Sequence, residues 1–124
     1  MTQTLAIAAG GALGSVLRFW LSSWTHGQLG RGFPYGTLLV NVLGCLLMGV
    51  LFVWFTERAT LAPVWRAGLL IGVLGGFTTF SAFSMETVSL LEEGAQVKAL
   101  LNVVSSVVVC LGATWVGMIA ARQL

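Results

Sequence analysis

Aspartate is absent from this chain, and charge of either sign is scarce. Charged residues make up 8% of its 124 positions, where a soluble domain carries roughly a quarter. The carboxylates are Glu57, Glu86, Glu92 and Glu93. No cluster suited to conducting a cation is present among them. The single histidine, His26, falls in an expected loop and has no nucleophile or metal-ligand cluster beside it, which argues against an enzyme. The net charge of +2 is small and dispersed, so nucleic acid is not an expected partner. Two cysteines, Cys45 and Cys110, lie inside apolar stretches and read as small buried residues, neither a disulfide framework nor a metal site. Met1-Thr2-Gln3-Thr4 lacks the basic start of a signal peptide, so the first apolar segment is expected to be retained.

What the chain has is apolar length. Hydrophobic residues reach 57% and mean hydropathy +0.96. About 20 apolar residues take a helix across the hydrocarbon core. Four windows meet this: Leu5–Trp24, Thr37–Phe55, Trp65–Leu91 and Ala99–Ala121. The expected fold is therefore all-α, a single four-helix transmembrane domain over residues 1–124, embedded in a lipid bilayer. Thr25–Gly36, Glu57–Pro63 and Glu92–Lys98 read as the connecting loops, with Pro63 tolerated at the first turn of the third span. Trp20, Trp24, Trp54 and Trp65 mark span ends, where indole rings prefer the interface.

An even number of spans puts both termini on one side. That side carries Arg58, Arg66 and Arg122; the other carries Arg18, Arg31 and Lys98. The Lys/Arg difference that sets topology is zero. Insertion in both orientations follows from that balance, and an inverted copy of the chain is then the natural symmetric partner. A single orientation decided by lipid or insertion kinetics is the alternative. Four helices fill their own core with side chains, so an aqueous path needs more than one chain or a groove at an interface. Small residues four apart, at Gly10 and Gly14 and at Gly68, Gly72 and Gly76, form strips that let helices approach closely, although such spacings also arise by chance.

The third window is too long for a simple span. Within it, Gly75-Gly76-Phe77-Thr78-Thr79-Phe80-Ser81-Ala82-Phe83-Ser84-Met85-Glu86 mixes glycine, phenylalanine, hydroxyls and a carboxylate at bilayer depth. Irregular backbone is tolerated there only where protein buries it or water reaches it. The expectation is a helix broken near Gly75-Gly76 that lines a pore or binding site. A broken helix presents free N–H groups at one end and bare carbonyls at the other, and phenyl edges carry partial positive charge. Asn41 and Arg18 are polar residues inside spans and are functional candidates by default. Asn41 can equally be a helix–helix staple, and Arg18 can snorkel to the interface. Asn102, Ser106, Cys110 and Thr114 share one face of the fourth span, either as a packing seam or as a wet track. The candidate lining favours an anion.

The run Gly75–Glu86 with Thr87 resembles the signature of the Fluc/CrcB family of bacterial fluoride channels. Gly10-Gly11-Ala12-Leu13-Gly14 with Leu17-Arg18 is similar to that family's first helix, and Pro34–Asn41 with Gly44 to the start of its second. The resemblance covers essentially the whole chain. It implies passive fluoride export across the bacterial inner membrane by an antiparallel, dual-topology homodimer with two pores. It implies that Phe80 and Phe83 turn ring edges to the anion, that Asn41 lines the pore and that Arg18 lies in its vestibule. Ser81, Ser84 and Thr87 fall on the hydroxyl-bearing stretch after the break, and Ser106 and Asn102 on the fourth-helix polar track. Gly75 and Thr78 match positions whose main-chain carbonyls, from both subunits, hold a structural sodium ion (Na+) at the dimer interface. Asn102 departs from relatives with Tyr or His at that place, and Cys110 from relatives with a hydroxyl. The rival reading is a small dual-topology proton-coupled exporter, which needs a membrane-embedded carboxylate; Glu86 alone could serve.

Overall fold

The computed structural model describes residues 1–58 and 60–124. Ala59, inside the expected Glu57–Pro63 connection, lies outside the described residues. The described chain is helical: α1 (Thr2–Leu29), α2 (Tyr35–Arg58), α3 (63–77), α4 (Phe80–Glu92) and α5 (Gln96–Gln123). Helices α3 and α4 together form one stretch, Pro63–Glu92, so four stretches are long and apolar enough to cross a membrane. At about 1.5 Å per residue, the 28 residues of α1 run ~42 Å, well past a hydrocarbon core of ~30 Å. The helices therefore tilt or project, and the expected windows mark their apolar centres.

Glu57, Arg58 and Pro63 are helical, as are Glu92, Gln96, Val97 and Lys98, so the Glu57–Pro63 and Glu92–Lys98 connections are shorter than expected, and two further expectations shift. The Thr25–Gly36 connection contracts to residues 30–34, and His26 belongs to the last turn of α1. Nothing from Thr25 to Leu29 forbids helix; the stop comes at Gly30, where φ is +84°, a conformation that favours glycine. The break in the third stretch falls at Thr78–Thr79, not at the glycine pair. Gly75 and Gly76 remain helical, and their lack of side chains serves packing. A Cβ on Gly76 would stand 2.7 Å from the Gly11 carbonyl oxygen of α1.

Two backbone-to-backbone seams hold the bundle. On the first, the Gly10–Gly14 strip of α1 meets the Gly68–Gly72–Gly76 strip of α3. A Cβ on Gly10 would strike the Gly68 carbonyl, one on Gly14 the Val73 carbonyl, and one on Gly72 would lie 2.9 Å from the Ile7 carbonyl oxygen. Both strips thus pack against each other, which small residues at this spacing permit. Along Ala67–Leu74 the helix widens to i→i+5 pairing. The second seam joins α2 and α5, which run in the same direction. Gly49 sits on the Thr114 carbonyl and Gly117 on the Leu46 carbonyl. Gly117 stands in a run of small residues four apart, Ala113–Gly117–Ala121, whereas Gly49 has no glycine four residues away.

At the far end of the second seam, Arg122 pairs with Glu57 at 3.1 Å and Arg58 donates to the Arg122 carbonyl at 2.6 Å. At the near end, Lys98 Nζ donates to the Gly32 carbonyl at 3.1 Å. Outside the seams, large apolar side chains stand open, among them Val108, Leu111 and Trp115 on α5. Trp20, Trp24, Trp54 and Trp65 are also more than half exposed. Such a surface needs lipid or another chain over it.

Candidate functional site: a helix break and its cavity

The break is built by Asn41. Its Oδ1 accepts from the Thr79 N–H at 2.8 Å, and its Nδ2 donates to the Thr79 carbonyl at 2.9 Å. The carboxamide thus replaces both helical partners of one residue, and only this amide orientation matches donor to acceptor. Thr79 itself caps α4. Its Oγ1 accepts from the Ala82 N–H at 3.1 Å, the N-cap bond to the third residue of a helix. Thr78 closes α3, its N–H and its Oγ1 both donating to the Leu74 carbonyl at 3.0 Å. Backbone at Thr78 and Thr79 is extended; the Asn41 side chain satisfies both backbone groups of Thr79, and the Leu74 carbonyl takes the Thr78 N–H.

These diversions leave specific acceptors free. In an unbroken helix the Thr79 N–H would bond the Gly75 carbonyl and the Ala82 N–H the Thr78 carbonyl. Both donors are turned elsewhere. Gly75 as a residue is exposed.

A cavity of about 350 Å³ opens beside the break. Asn41, Phe80, Phe83, Ser106, Cys45 and Cys110 all contribute to its wall. The Phe80 and Phe83 rings lie 5.2 Å apart at 54°, and Phe80 is 79% exposed. A carboxamide has two N–H groups; with one on Thr79, Asn41 keeps the other for this space. The wall is mostly apolar with a few donors, the usual make-up of a small-ligand site.

Arg18 faces a different cleft, with Ser15, Ser22, Thr37 and Thr79 around it. It lies about 16 Å short of the C-terminal end of α1, at 1.5 Å per residue. Thr79 and the two-sided wall it forms separate this cleft from the Phe80–Phe83 cavity. A third cleft gathers His26, Arg31, Glu86, Glu93 and Lys98. There Thr37 Oγ1 donates to Glu86 Oε1 at 2.6 Å, a contact with no signature in the sequence. His26 Nε2 accepts from the Gly36 N–H at 3.2 Å and so caps α2.

The polar face of α5 divides. Asn102 is 2% exposed and donates from Nδ2 to Thr87 Oγ1 at 2.8 Å, while that hydroxyl donates to the Phe83 carbonyl at 2.8 Å. Ser106 Oγ reaches Asn102 Oδ1 at 3.5 Å. Asn102 and Thr87 therefore staple α5 to α4, and Ser106 and Cys110 face the cavity. Thr114 bonds back to the Cys110 carbonyl at 3.2 Å within the second seam. Seam and track readings each hold for part of one stripe. Ser81 and Ser84 lie on the exposed side of α4, with the Ser81 hydroxyl 3.3 Å from that of Thr79, and neither lines the cavity. Cys45, read as a mere buried residue, does line it.

Four membrane-type spans, one interrupted by a side-chain-held break beside a half-open cavity, define a multi-pass membrane protein. The family follows from the sequence relatives. Residues 5–118 match the family described as CrcB-like protein, Camphor Resistance (CrcB), and the chain belongs to that family. It is 53% identical to the fluoride-specific ion channel FluC of Geobacter metallireducens, over the full length of both chains. The protein of the same name from Geobacter sulfurreducens is 50% identical, again over both full lengths. That of Methylococcus capsulatus is 56% identical over 96% of this chain, which spans 52% of the longer relative.

Proposed function

We propose that this chain is a fluoride-selective channel giving passive fluoride export across the bacterial inner membrane. The observation that carries the reading is the break at Thr78–Thr79, held open by Asn41 so that Phe80 and Phe83 border a cavity with donors behind them. The likeness to channels named for fluoride supports the choice of ion. Fluoride is small and strongly hydrated, so a narrow path must replace its water. The free Asn41 N–H, the Ser106 hydroxyl and the phenyl edges, with their partial positive charge, offer that replacement without a full charge in the constriction. A larger anion such as chloride would be excluded by tightness and poor solvation.

The working unit is an antiparallel homodimer of inverted copies with two pores. The equal Lys/Arg count on the two sides supports it, as does the open face carrying Phe80, Ser81 and Ser84. On this reading Ser81 and Ser84 meet the second copy's side of a pore, and Arg18 serves the vestibule. Thr87 and Asn102 set the wall from behind. The Gly75 and Thr78 carbonyls, freed from helical pairing, fit a sodium ion on the dimer axis. A bound ion would supply a fixed positive charge that ties the two breaks together, and hard cations take such oxygen donors.

The proton-coupled exporter is less well supported. Glu86 shares a charged cleft with Arg31 and Lys98 and accepts a hydrogen bond from Thr37. It is not isolated in the apolar wall where a proton would be traded. Fluoride and chloride efflux from liposomes holding purified protein tests the proposal. Fluoride should leave rapidly, chloride should not, and a pH gradient should not drive the flux. Equal rates for the two anions would refute selectivity, and strict dependence on the proton gradient would favour the exporter.

A further inference from the structure

Two thiols meet where the proposed path would run. Cys45 stands on α2 and Cys110 on α5, and both contribute to the wall of the cavity beside the break. Both are free and partly exposed, and the parallel register of α2 on α5, which sets Gly49 against Thr114, sets Cys45 and Cys110 opposite each other one turn earlier. The helices that carry them cannot easily move apart. One turn further along, Gly49 rests on the Thr114 carbonyl and Gly117 on the Leu46 carbonyl. The sulfur pair is therefore held by rigid elements, and it opens onto space large enough for an ion to enter.

The surroundings narrow the ligand. Val107, Leu111 and Phe83 share the wall, and its oxygen groups, on Asn41, Thr78, Thr79 and Ser106, are neutral amides and hydroxyls with no carboxylate among them. Among the described residues no group of three or more His, Cys, Asp or Glu side chains comes together. Zinc, which takes four N, S or O ligands in structural sites, lacks its set. Two thiols facing each other suit a soft cation that accepts two-coordinate, linear sulfur ligation.

We propose that Cys45 and Cys110 form a binding site for a soft two-coordinate cation of the Cu+, Ag+ or Hg2+ class, and that its occupancy plugs the cavity. Binding replaces a thiol proton by the metal: one sulfur forms the S–metal bond and releases H+ to water, and the second sulfur donates a lone pair to complete the line. The site itself rests on the fold alone; the blockade rests on the channel reading.

Silver ion in chloride-free buffer is the probe. Purified full-length protein is titrated with Ag+ and its intact mass recorded, and the same protein in liposomes is assayed for fluoride efflux. One silver should bind tightly per chain, and efflux should be lost at the same stoichiometry and return with excess dithiothreitol. Cys45→Ser and Cys110→Ser, with Cys45→Ala and Cys110→Ala as alternatives should a serine variant fold poorly, should each lose the tight silver. The efflux that each variant shows should become insensitive to it. Tight silver retained in either single variant, or two silvers per chain taken up independently, would overturn the shared site. Silver bound without loss of efflux would overturn the plug. Absent efflux before silver is added would count against the channel reading alone, because the mass titration decides the site separately.

Discussion

The α1–α3 seam and the α2–α4 junction solve opposite problems with the same scarcity of side chain. In the seam, Gly10, Gly14, Gly72 and Gly76 remove every Cβ so that backbone meets backbone. At the junction, Gly44 likewise clears a space, because a Cβ there would strike the Thr78 methyl. That space lets α3 end and the Asn41 carboxamide reach Thr79. The first region packs two uninterrupted helix faces together; the second interrupts a helix and satisfies Thr79 with a polar side chain. In hydrocarbon an unpartnered backbone group costs several kcal/mol, so a break can stand only where such a side chain is placed. The glycine seam anchors α3 right up to the break, and this keeps the break from healing into a straight helix.

Substitutions should separate the two regions. The largest effect is expected at Gly14→Val, whose side chain would enter the Val73 carbonyl. Overpacking costs about 1–3 kcal/mol and occasionally more, and here the obstacle is backbone. Monodisperse protein should be lost in detergent, with a sharply lowered Tm in whatever remains. An unchanged Tm would show that the seam is not as close as described. Next comes Asn41→Leu, similar in size but unable to bond Thr79. Leaving a buried donor or acceptor unpaired costs about 1–3 kcal/mol, so the variant should lose stability and fluoride efflux together. A normal Tm with lost efflux would mean that Asn41 acts on the ion and not on the backbone. Phe80→Ile should do least to the stability of the protomer, within the roughly ±0.5 kcal/mol usual for exposed positions, because the ring is 79% exposed in the single chain. Its efflux should nonetheless fall, as measured in liposomes against the parent protein. If efflux is unchanged, Phe80 does not line the path.

Much of the first region was legible from the chain. The Gly10–Gly14 and Gly68–Gly72–Gly76 spacings named both strips, though not that each is the other's partner. The second seam was only partly legible: Ala113, Gly117 and Ala121 stand four apart, but that spacing does not say that Gly49 and Gly117 each meet a carbonyl on the other's helix. At the site, Asn41, Phe80, Phe83 and Ser106 were named and are brought to one cavity. Asn102 and Thr87 are drawn away into a staple, and Ser81 and Ser84 face outward. Helical period places residues on a face, but it does not say which neighbour covers that face.

The sequence by itself determined the solvent, the four spans, the presence of an interruption and the residue types that can tolerate it. Those depend on composition and on spacing along one helix. Only the tertiary structure decided that the interruption sits at Thr78–Thr79, that Asn41 holds it, and that Cys45 and Cys110 share one cavity wall. A hydrogen bond or a thiol pair needs atoms within a few ångströms, and here these atoms belong to residues 38 and 65 positions apart. Packing of glycine against backbone brings them together, and no local propensity encodes that distance.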